Sequence, residues 1–274
     1  MDGTLRGNVM KSVIACCLLA LPALAQFTYD QMMKPYAYTN DAGEVFACRL
    51  SAPQFPVAGK KYPLILFLHG SGECGTDNQK QITVGIPTLV SSLLKQPEQV
   101  MVLAPQCQPM DWWVKRLAMT ADYSPTKDIA PSLEVALDLC RHLVEARQAD
   151  PDRIYVTGFS LGGFGTWDAI QRHPEMFAAA IPVCGGGDTR QARDIKKMPI
   201  WVFHAQDDKN VPVECSRRMV TQLKAIGAKK VNYTEFEKGG HNSWDRAYGD
   251  KKVIAWLLGQ TREKAAWWKF WKWF

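Results

Sequence analysis

A serine flanked by glycines is the first feature of the sequence that could do chemistry. The pentapeptide Gly158-Phe159-Ser160-Leu161-Gly162 follows an apolar run and precedes a stretch with helical periodicity. The two glycines permit a strained strand-to-helix turn, which lifts the serine hydroxyl out of a sheet and beside a helix N-terminus, where negative charge is stabilised. The spacing predicts that Ser160 is a nucleophile.

A histidine in a glycine-rich loop could activate this serine. A serine hydroxyl is a poor nucleophile until a base removes its proton. His241 follows Gly239-Gly240 after the last apolar run, on a loop that can bring its ring over a sheet. Packing or local hydrogen bonding accounts for the remaining histidines, which fall within helical patterns or at the ends of apolar runs: His69, His142, His173 and His204. We expect His241 to be the general base.

Two adjacent carboxylates could orient the histidine. Asp207 and Asp208 follow the predicted strand at 200–203, and the chain order Ser, Asp, His is typical of hydrolases with a G-x-S-x-G turn. A buried carboxylate there would hold the imidazole in the required tautomer. The residues alone leave both acids open, the other being a solvated loop or capping residue.

Acyl transfer through a serine also requires two backbone N–H groups aimed at the developing negative charge. We expect one from Leu161, the residue after the nucleophile. The predicted strand at 64–68 enters the loop His69-Gly70-Ser71-Gly72, where the second donor is expected, and we assign it to Ser71. A plain glycine-rich turn is the alternative.

The elements that would position these residues form an alternating pattern. Short apolar runs separated by longer amphipathic stretches are typical of parallel strands joined by crossover helices. We predict an α/β-hydrolase fold of the α/β class, with a mostly parallel central sheet, helices on both faces and an N-terminal antiparallel edge. The predicted strands are at 36–39, 45–47, 64–68, 100–103, 153–157, 179–183, 200–203 and 231–236, and the helices at 86–94, 127–149, 162–172, 213–226 and 251–258.

The N-terminus has the pattern of an export signal. Arg6 and Lys11 precede an apolar run at 12–24, and Ala23-Leu24-Ala25 offers small residues for cleavage. We therefore predict a signal peptide at 1–25 and a secreted or periplasmic mature protein.

The remaining chain divides into one catalytic domain, 26–260, and a Trp/Lys-rich tail, 261–274. The formal net charge is +6, of which the tail carries +3, so nothing indicates the concentrated basic face of a nucleic-acid-binding protein. Aromatic residues interspersed with lysines suit a membrane surface, which is one hypothesis for the tail. An artefact at the chain end is the alternative.

Six cysteines follow the predicted signal peptide, without the close pairing typical of zinc sites: Cys48, Cys74, Cys107, Cys140, Cys184 and Cys215. No metal or cofactor is expected. Three of the cysteines, Cys74, Cys107 and Cys184, lie on loops predicted at the carboxyl ends of strands, where two of them could form a disulfide.

Three tryptophans lie near the predicted site in sequence. Trp112 and Trp113 follow the Cys107 loop, and Trp244 lies close to His241. We predict that they line the substrate pocket, with packing inside the domain as an equal alternative.

Several motifs in order carry a family resemblance that covers roughly residues 60–258. The chain resembles bacterial prolyl-oligopeptidase-like esterases, often labelled predicted peptidases or phospholipase/carboxylesterases. The motifs are Leu68-His69-Gly70-Ser71-Gly72-Glu73, Ala104-Pro105-Gln106-Cys107, the run from Asp152 to Trp167, Pro182-Val183-Cys184-Gly185-Gly186-Gly187-Asp188 and Gly240-His241-Asn242-Ser243-Trp244.

The resemblance implies a serine hydrolase in which the acid lies three residues before Val-Pro, at Asp208. It also supports Ser160, His241 and the two oxyanion donors, although the family usually has arginine at the position of Cys74. We expect cleavage of carboxylic esters, small or linked to polysaccharides, with acetyl or feruloyl groups as candidates. A serine peptidase of the prolyl-oligopeptidase type is the alternative.

Overall fold

The structure is a computed structural model that describes residues 29–39, 45–115 and 126–262. The predicted signal peptide at 1–25 lies outside these residues, as does the tail from residue 263 onward. Within the described ranges, no helix combines the length and the apolar character needed to cross a membrane.

Eight strands of the described residues form one sheet: β1 (Met33–Thr39), β2 (Val45–Ser51), β3 (Tyr62–Leu68), β4 (Met101–Pro105), β5 (Ala149–Phe159), β6 (Ala179–Val183), β7 (Ile200–Ala205) and β8 (Val231–Phe236). Their order is β1-β2-β4-β3-β5-β6-β7-β8. Strands β3 to β8 pair in parallel, whereas β1 and β2 form an antiparallel hairpin that joins the sheet at β4. The mostly parallel sheet with an antiparallel N-terminal edge is confirmed.

The described helices cover both faces of this sheet: α1 (Tyr29–Met32), α2 (Ile86–Leu93), α3 (Pro131–Glu145), α4 (Leu161–Arg172), α5 (Glu214–Ala225), α6 (Trp244–Gly249) and α7 (Lys251–Leu258). Helices α3, α4 and α5 contribute to one buried apolar cluster, and α2, α6 and α7 to a second. Because helices bury both faces, every residue of β3 is buried, which explains its unbroken apolar run. The predicted α/β-hydrolase architecture is confirmed.

The helix predicted at 127–149 was wrong at both ends. Pro131 is the first residue of α3, where its fixed φ suits the first turn and its missing N–H costs nothing. The helix ends because Arg147 adopts a left-handed φ of 57°, and Gln148 N–H then donates to the Leu143 carbonyl over 3.0 Å. Residues from Ala149 onward belong to β5.

Candidate active site

Ser160 occupies a strained turn between β5 and α4. Its φ of 55° and ψ of −119° lie in a region that side chains rarely adopt. The turn requires glycine at positions 162 and 163, because a Cβ atom at either position would collide with a carbonyl oxygen. The oxygen is that of Leu68 for Gly162 and that of Val183 for Gly163. Ser160 N–H donates to the Val183 carbonyl over 3.1 Å, which fixes the turn against β6. The turn thus has the predicted strand-to-helix geometry.

His241 and Asp208 meet above the carboxyl ends of β7 and β8. The His241 Nδ1 atom lies 2.8 Å from Asp208 Oδ2, and the Asp208 side chain is fully buried. Nδ1 is therefore occupied by the carboxylate, and Nε2 is left to exchange a proton with another group. This is the contact that a base-orienting carboxylate makes.

Asp208 has further hydrogen bonds that keep it ionised. Its Oδ1 accepts N–H groups of Asn210 (2.8 Å) and Val211 (3.0 Å), and His204 Nε2 lies 3.3 Å from Oδ2. Burial alone would raise the pKa of this carboxyl, but the hydrogen bonds from His204, His241 and the two N–H groups hold it well below its usual range. Sequence reasoning missed His204 as a partner of the acid.

The neighbouring acid, Asp207, has a different contact. Its Oδ1 accepts the Gly240 N–H over 2.8 Å at the protein surface. Asp207 therefore holds the glycine that precedes His241, rather than the imidazole itself. Of the two acids that the residues alone left open, Asp208 is the one in contact with His241.

A cavity of about 480 Å³ brings Ser160 and His241 to one surface. The polar Ser71 and the apolar ring of Trp244 also line it. The other lining residues are Gly70, Gly72, Glu73, Val84, Phe159 and Asn210. A substrate carbonyl in this cavity would have the serine, the histidine and the glycine-rich loop around it.

The two predicted oxyanion donors begin helical turns beside this cavity. Ser71 is the first residue of a 3₁₀ turn, Ser71–Glu73, and Leu161 is the first residue of α4. The first N–H groups of a helix have no acceptor within it. The Leu161 side chain is fully buried, so only its backbone could serve a substrate.

Replacing Ser71 by proline is expected to lower kcat about 100-fold or more, whereas Ser71→Ala should lower it less than about 3-fold. Gly70 precedes it at φ −78° and ψ 178°, an extended conformation that a following proline accepts. Proline therefore fits the backbone and removes the N–H, while alanine removes the hydroxyl. Steady-state kinetics with a soluble ester measure both. Equal losses would assign the role to the hydroxyl instead.

His69 fixes the glycine-rich loop from below. Its Nδ1 lies 2.7 Å from the Gly70 carbonyl, and its Nε2 accepts the Cys107 N–H over 2.9 Å. These contacts require a neutral ring that carries its proton on Nδ1. Burial lowers the pKa of His69 to about 4, with the bond to Gly70 opposing the shift. The sequence signal is the position of His69 directly before the loop, but that position indicates only local hydrogen bonding and not the contact with Cys107.

Folding stability is expected to fall as the pH drops from about 6.5 to 4, because of His69. An unfolded histidine binds a proton near pH 6.5, whereas folded His69 binds one only near pH 4. The unfolded chain holds more protons between these values, so up to about 3 kcal/mol is lost across the window. Urea unfolding at pH 7 and 4.5 measures this, and His69→Gln, which cannot titrate, should lose distinctly less. Equal losses in both proteins would exclude His69 as the cause.

The predicted pocket role of Trp113 was wrong. Trp113 is fully buried, and its Nε1 donates to the His69 carbonyl over 3.0 Å. Its ring packs edge-on against His69 with centroids 5.0 Å apart, so it supports the loop from inside the domain. Trp112 is partly buried against the same core and does not line the cavity.

Trp244, in contrast, lines the cavity as predicted. Its ring lies against Phe159 with centroids 4.3 Å apart and meets His241 edge-on at 5.4 Å. Trp244 begins α6, a short helix that the sequence analysis missed. It therefore forms an aromatic wall beside the histidine.

Cys184 lies beneath the site, and its Sγ is 3.3 Å from Ser160 N and 3.7 Å from the His241 carbonyl oxygen. Ligand atoms of Cys184, Asp208 and His241 lie within 4.8 Å of one another, the spacing of a metal site. However, burial raises the pKa of the Cys184 thiol well above its usual value, which disfavours the thiolate that a metal binds. Hydrogen bonding to Ser160 and His241 explains these contacts better.

The chain matches a known protein family and is similar to several known proteins. Residues 56–252 match the family described as Phospholipase/Carboxylesterase. A solved structure of a thermostable esterase is 40% identical, with a TM-score of 0.75, and the match covers 84% of this chain and 64% of that one. "Putative esterase NocK" of Nocardia uniformis subsp. tsuyamanensis is 29% identical over 193 residues, 68% of this chain and 52% of NocK.

The chain thus spans only about half to two thirds of the length of these relatives. Pyrococcus horikoshii acylaminoacyl peptidase shares the fold alone, at 17% identity and a TM-score of 0.58 over 85% of this chain and 43% of that one. The fold is therefore found both in proteins named as esterases and in one named as a peptidase.

Proposed function

The chain belongs to the phospholipase/carboxylesterase family, and from that premise we propose that it hydrolyses carboxylic esters through an acyl intermediate on Ser160. The observation that carries the proposal is the 2.8 Å contact between Asp208 and His241 at a cavity that Ser160 also lines. A nucleophile, a base and a carboxylate that orients the base are the parts that acyl transfer needs.

In the proposed reaction, Ser160 Oγ attacks the ester carbonyl while His241 Nε2 takes its proton. Asp208 holds the Nδ1 proton and stabilises the imidazolium that forms. The N–H groups of Leu161 and Ser71 bind the oxyanion. The collapsing intermediate releases the alcohol, which receives the proton from His241, and a water molecule activated by the same histidine then hydrolyses the acyl-serine.

The alternative is peptide hydrolysis by the same residues, as in the prolyl-oligopeptidase type. An alkoxide or phenoxide leaves with little assistance, whereas an amine must be protonated as it leaves, which requires close positioning of the scissile bond. The family and the more similar relatives favour esters. We therefore place esters first.

For the substrate, we propose short-chain or aromatic esters, including acetyl or feruloyl esters of polysaccharides. The apolar wall formed by Val84, Phe159 and Trp244 suits a flat acyl group, because aromatic rings pack well face to edge or offset. The Ser71 loop and Asn210 also line the cavity and offer hydrogen bonds to a polar alcohol.

The cellular setting is also a proposal. An exported enzyme would act on esters outside the cytoplasm, with the segment at 1–25 removed. Residues 263–274 lie outside the described part of the chain, and their contact with a membrane surface stays a hypothesis. The Arg262 guanidinium, two residues beyond the predicted boundary at 260, donates to Asp152 and to the Glu175 carbonyl.

The purified chain is expected to hydrolyse 4-nitrophenyl acetate and aryl-acyl esters at least about 100-fold faster, in kcat/KM, than matched peptide amides. Trp244→Ala should lower kcat/KM for an aryl-acyl ester about 5-fold more than for an acetyl ester, because an aromatic wall contributes roughly 1 kcal/mol to binding of an aromatic group. Trp112→Ala, outside the cavity, is the matched control and should leave that ratio unchanged.

The two comparisons test separate parts of the proposal. Similar kcat/KM for an amide and its ester analogue would overturn the ester preference. An unchanged ratio of aryl to acetyl esters in Trp244→Ala would remove only the aromatic acyl site.

A further inference from the structure

Two cysteine-bearing segments lie side by side next to the glycine-rich loop. The Gly75 N–H donates to the Cys107 carbonyl over 3.0 Å, and Gln106 Nε2 donates to the Glu73 carbonyl over 3.1 Å. Cys74 lies between Glu73 and Gly75, so a hydrogen bond on each side of it holds its segment against residues 106 and 107. These two hydrogen bonds therefore bring Cys74 and Cys107 close to each other.

The thiols of Cys74 and Cys107 are close enough to share a hydrogen bond. The hydrogen bond from Cys107 is the main reason that the pKa of the Cys74 thiol is lowered, while burial and the charges of Glu73 and Asp111 oppose the shift. The Cys107 thiol is buried, also contacts the Asp111 carbonyl, and has a raised pKa. Cys74 is only partly buried. The Cys74 thiol is thus accessible to a reagent and more readily ionised, whereas the Cys107 thiol is buried and stays protonated.

The other cysteines of the described residues differ from this pair. All of them are buried and have raised pKa values because of burial: Cys48, Cys140, Cys184 and Cys215. Since the thiolate is the reactive form, they are poor nucleophiles in the folded protein. All six cysteines are free thiols in the structure.

We propose that Cys74 and Cys107 are a redox-modification site, a dithiol that a small disulfide such as oxidised glutathione converts to an intramolecular disulfide. The Cys74 thiolate attacks one sulfur of the oxidant, and one glutathione leaves as thiolate. Cys107 then attacks Cys74 Sγ and displaces the second glutathione. The two cysteines lose two electrons and two protons, and both pass to glutathione.

A disulfide between Cys74 and Cys107 would join the end of the Ser71–Glu73 turn to the segment after β4. Cross-linking two points distant in sequence restricts the unfolded chain, and a disulfide of this kind is expected to raise Tm by about 5–10 °C. It would also hold the Ser71 loop at its present position. The proposal concerns the folded chain and does not depend on the hydrolytic activity.

The test uses the full purified chain, incubated with reduced or with oxidised glutathione and then alkylated. Peptide mapping without reduction should find a peptide pair joined through Cys74 and Cys107, two hydrogens lighter than the sum of the free peptides. Oxidation should raise Tm in the wild type and in Cys215→Ala, the matched control, but not in Cys74→Ser. Each protein is compared with its own reduced form, so a loss of basal stability in a variant does not affect the result.

Alkylation of both Cys74 and Cys107 after oxidation, or a bridge to another cysteine, would overturn the proposal. A cross-link that forms without raising Tm would overturn the stabilising role.

Discussion

Ser160→Ala is expected to lower kcat for a soluble ester by about 10⁴-fold or more, with little change in the free energy of unfolding. The members of such a site act as a unit, so loss of the nucleophile removes most of the rate enhancement. Alanine keeps the same backbone demand at φ 55°, and the hydroxyl is removed from a cavity surface rather than from the core. Steady-state kinetics and urea unfolding measure the two effects.

A fluorophosphonate probe provides the control for this experiment. The wild type and Ser71→Ala, which alters a second serine of the same cavity, should both be labelled, whereas Ser160→Ala should not. Retention of more than about a tenth of the activity in Ser160→Ala would transfer the role of nucleophile to another residue.

Asp208→Asn is expected to lower kcat about 10³- to 10⁴-fold, and Asp207→Asn less than about 10-fold. An amide at 208 can donate to His241 Nδ1 and so favours the tautomer with its proton on Nε2, which cannot accept one from a serine. At position 207 the amide oxygen still accepts the Gly240 N–H, so the histidine loop is kept. Asp207→Asn is therefore the matched control for Asp208→Asn, because the same chemical change is made at the adjacent position.

The measurement is kcat for both variants at the pH where the wild type is most active. Circular dichroism of Asp208→Asn controls for misfolding, because the buried carboxylate also accepts the N–H groups of Asn210 and Val211. If Asp207→Asn were the more damaged protein, Asp207 would be the acid, and the observed contact of Asp208 would be structural.

The parts of this fold that could be predicted from sequence are those coded by neighbouring residues. The predicted strands at 179–183 and 231–236 coincide with β6 and β8. In β6 the reason is local, because burial on both faces selects an unbroken apolar run. The end of α3 could not be predicted in this way. It depends on Arg147 in a left-handed conformation, which no residue preference at that position favours.

In the candidate site, too, the features set by neighbouring residues could be predicted and the others could not. The turn at Ser160 was predictable because its glycines are adjacent in sequence, whereas His69 and Trp113 support the site through contacts between distant segments. The choice between Asp207 and Asp208 is similar, since adjacent side chains leave the backbone in different directions. Only the path of the loop after β7 decides which one meets His241.

The position of β8 at one edge of the sheet bears on which part of the molecule governs activity. Ser160 follows the central strand β5, but His241 follows β8, which has a neighbour on one side only and no fully buried residue. Outer strands open locally at lower free energy than the centre of a sheet. We therefore expect heat to open this edge first and to separate the histidine from the serine while β3 and β5 are still paired.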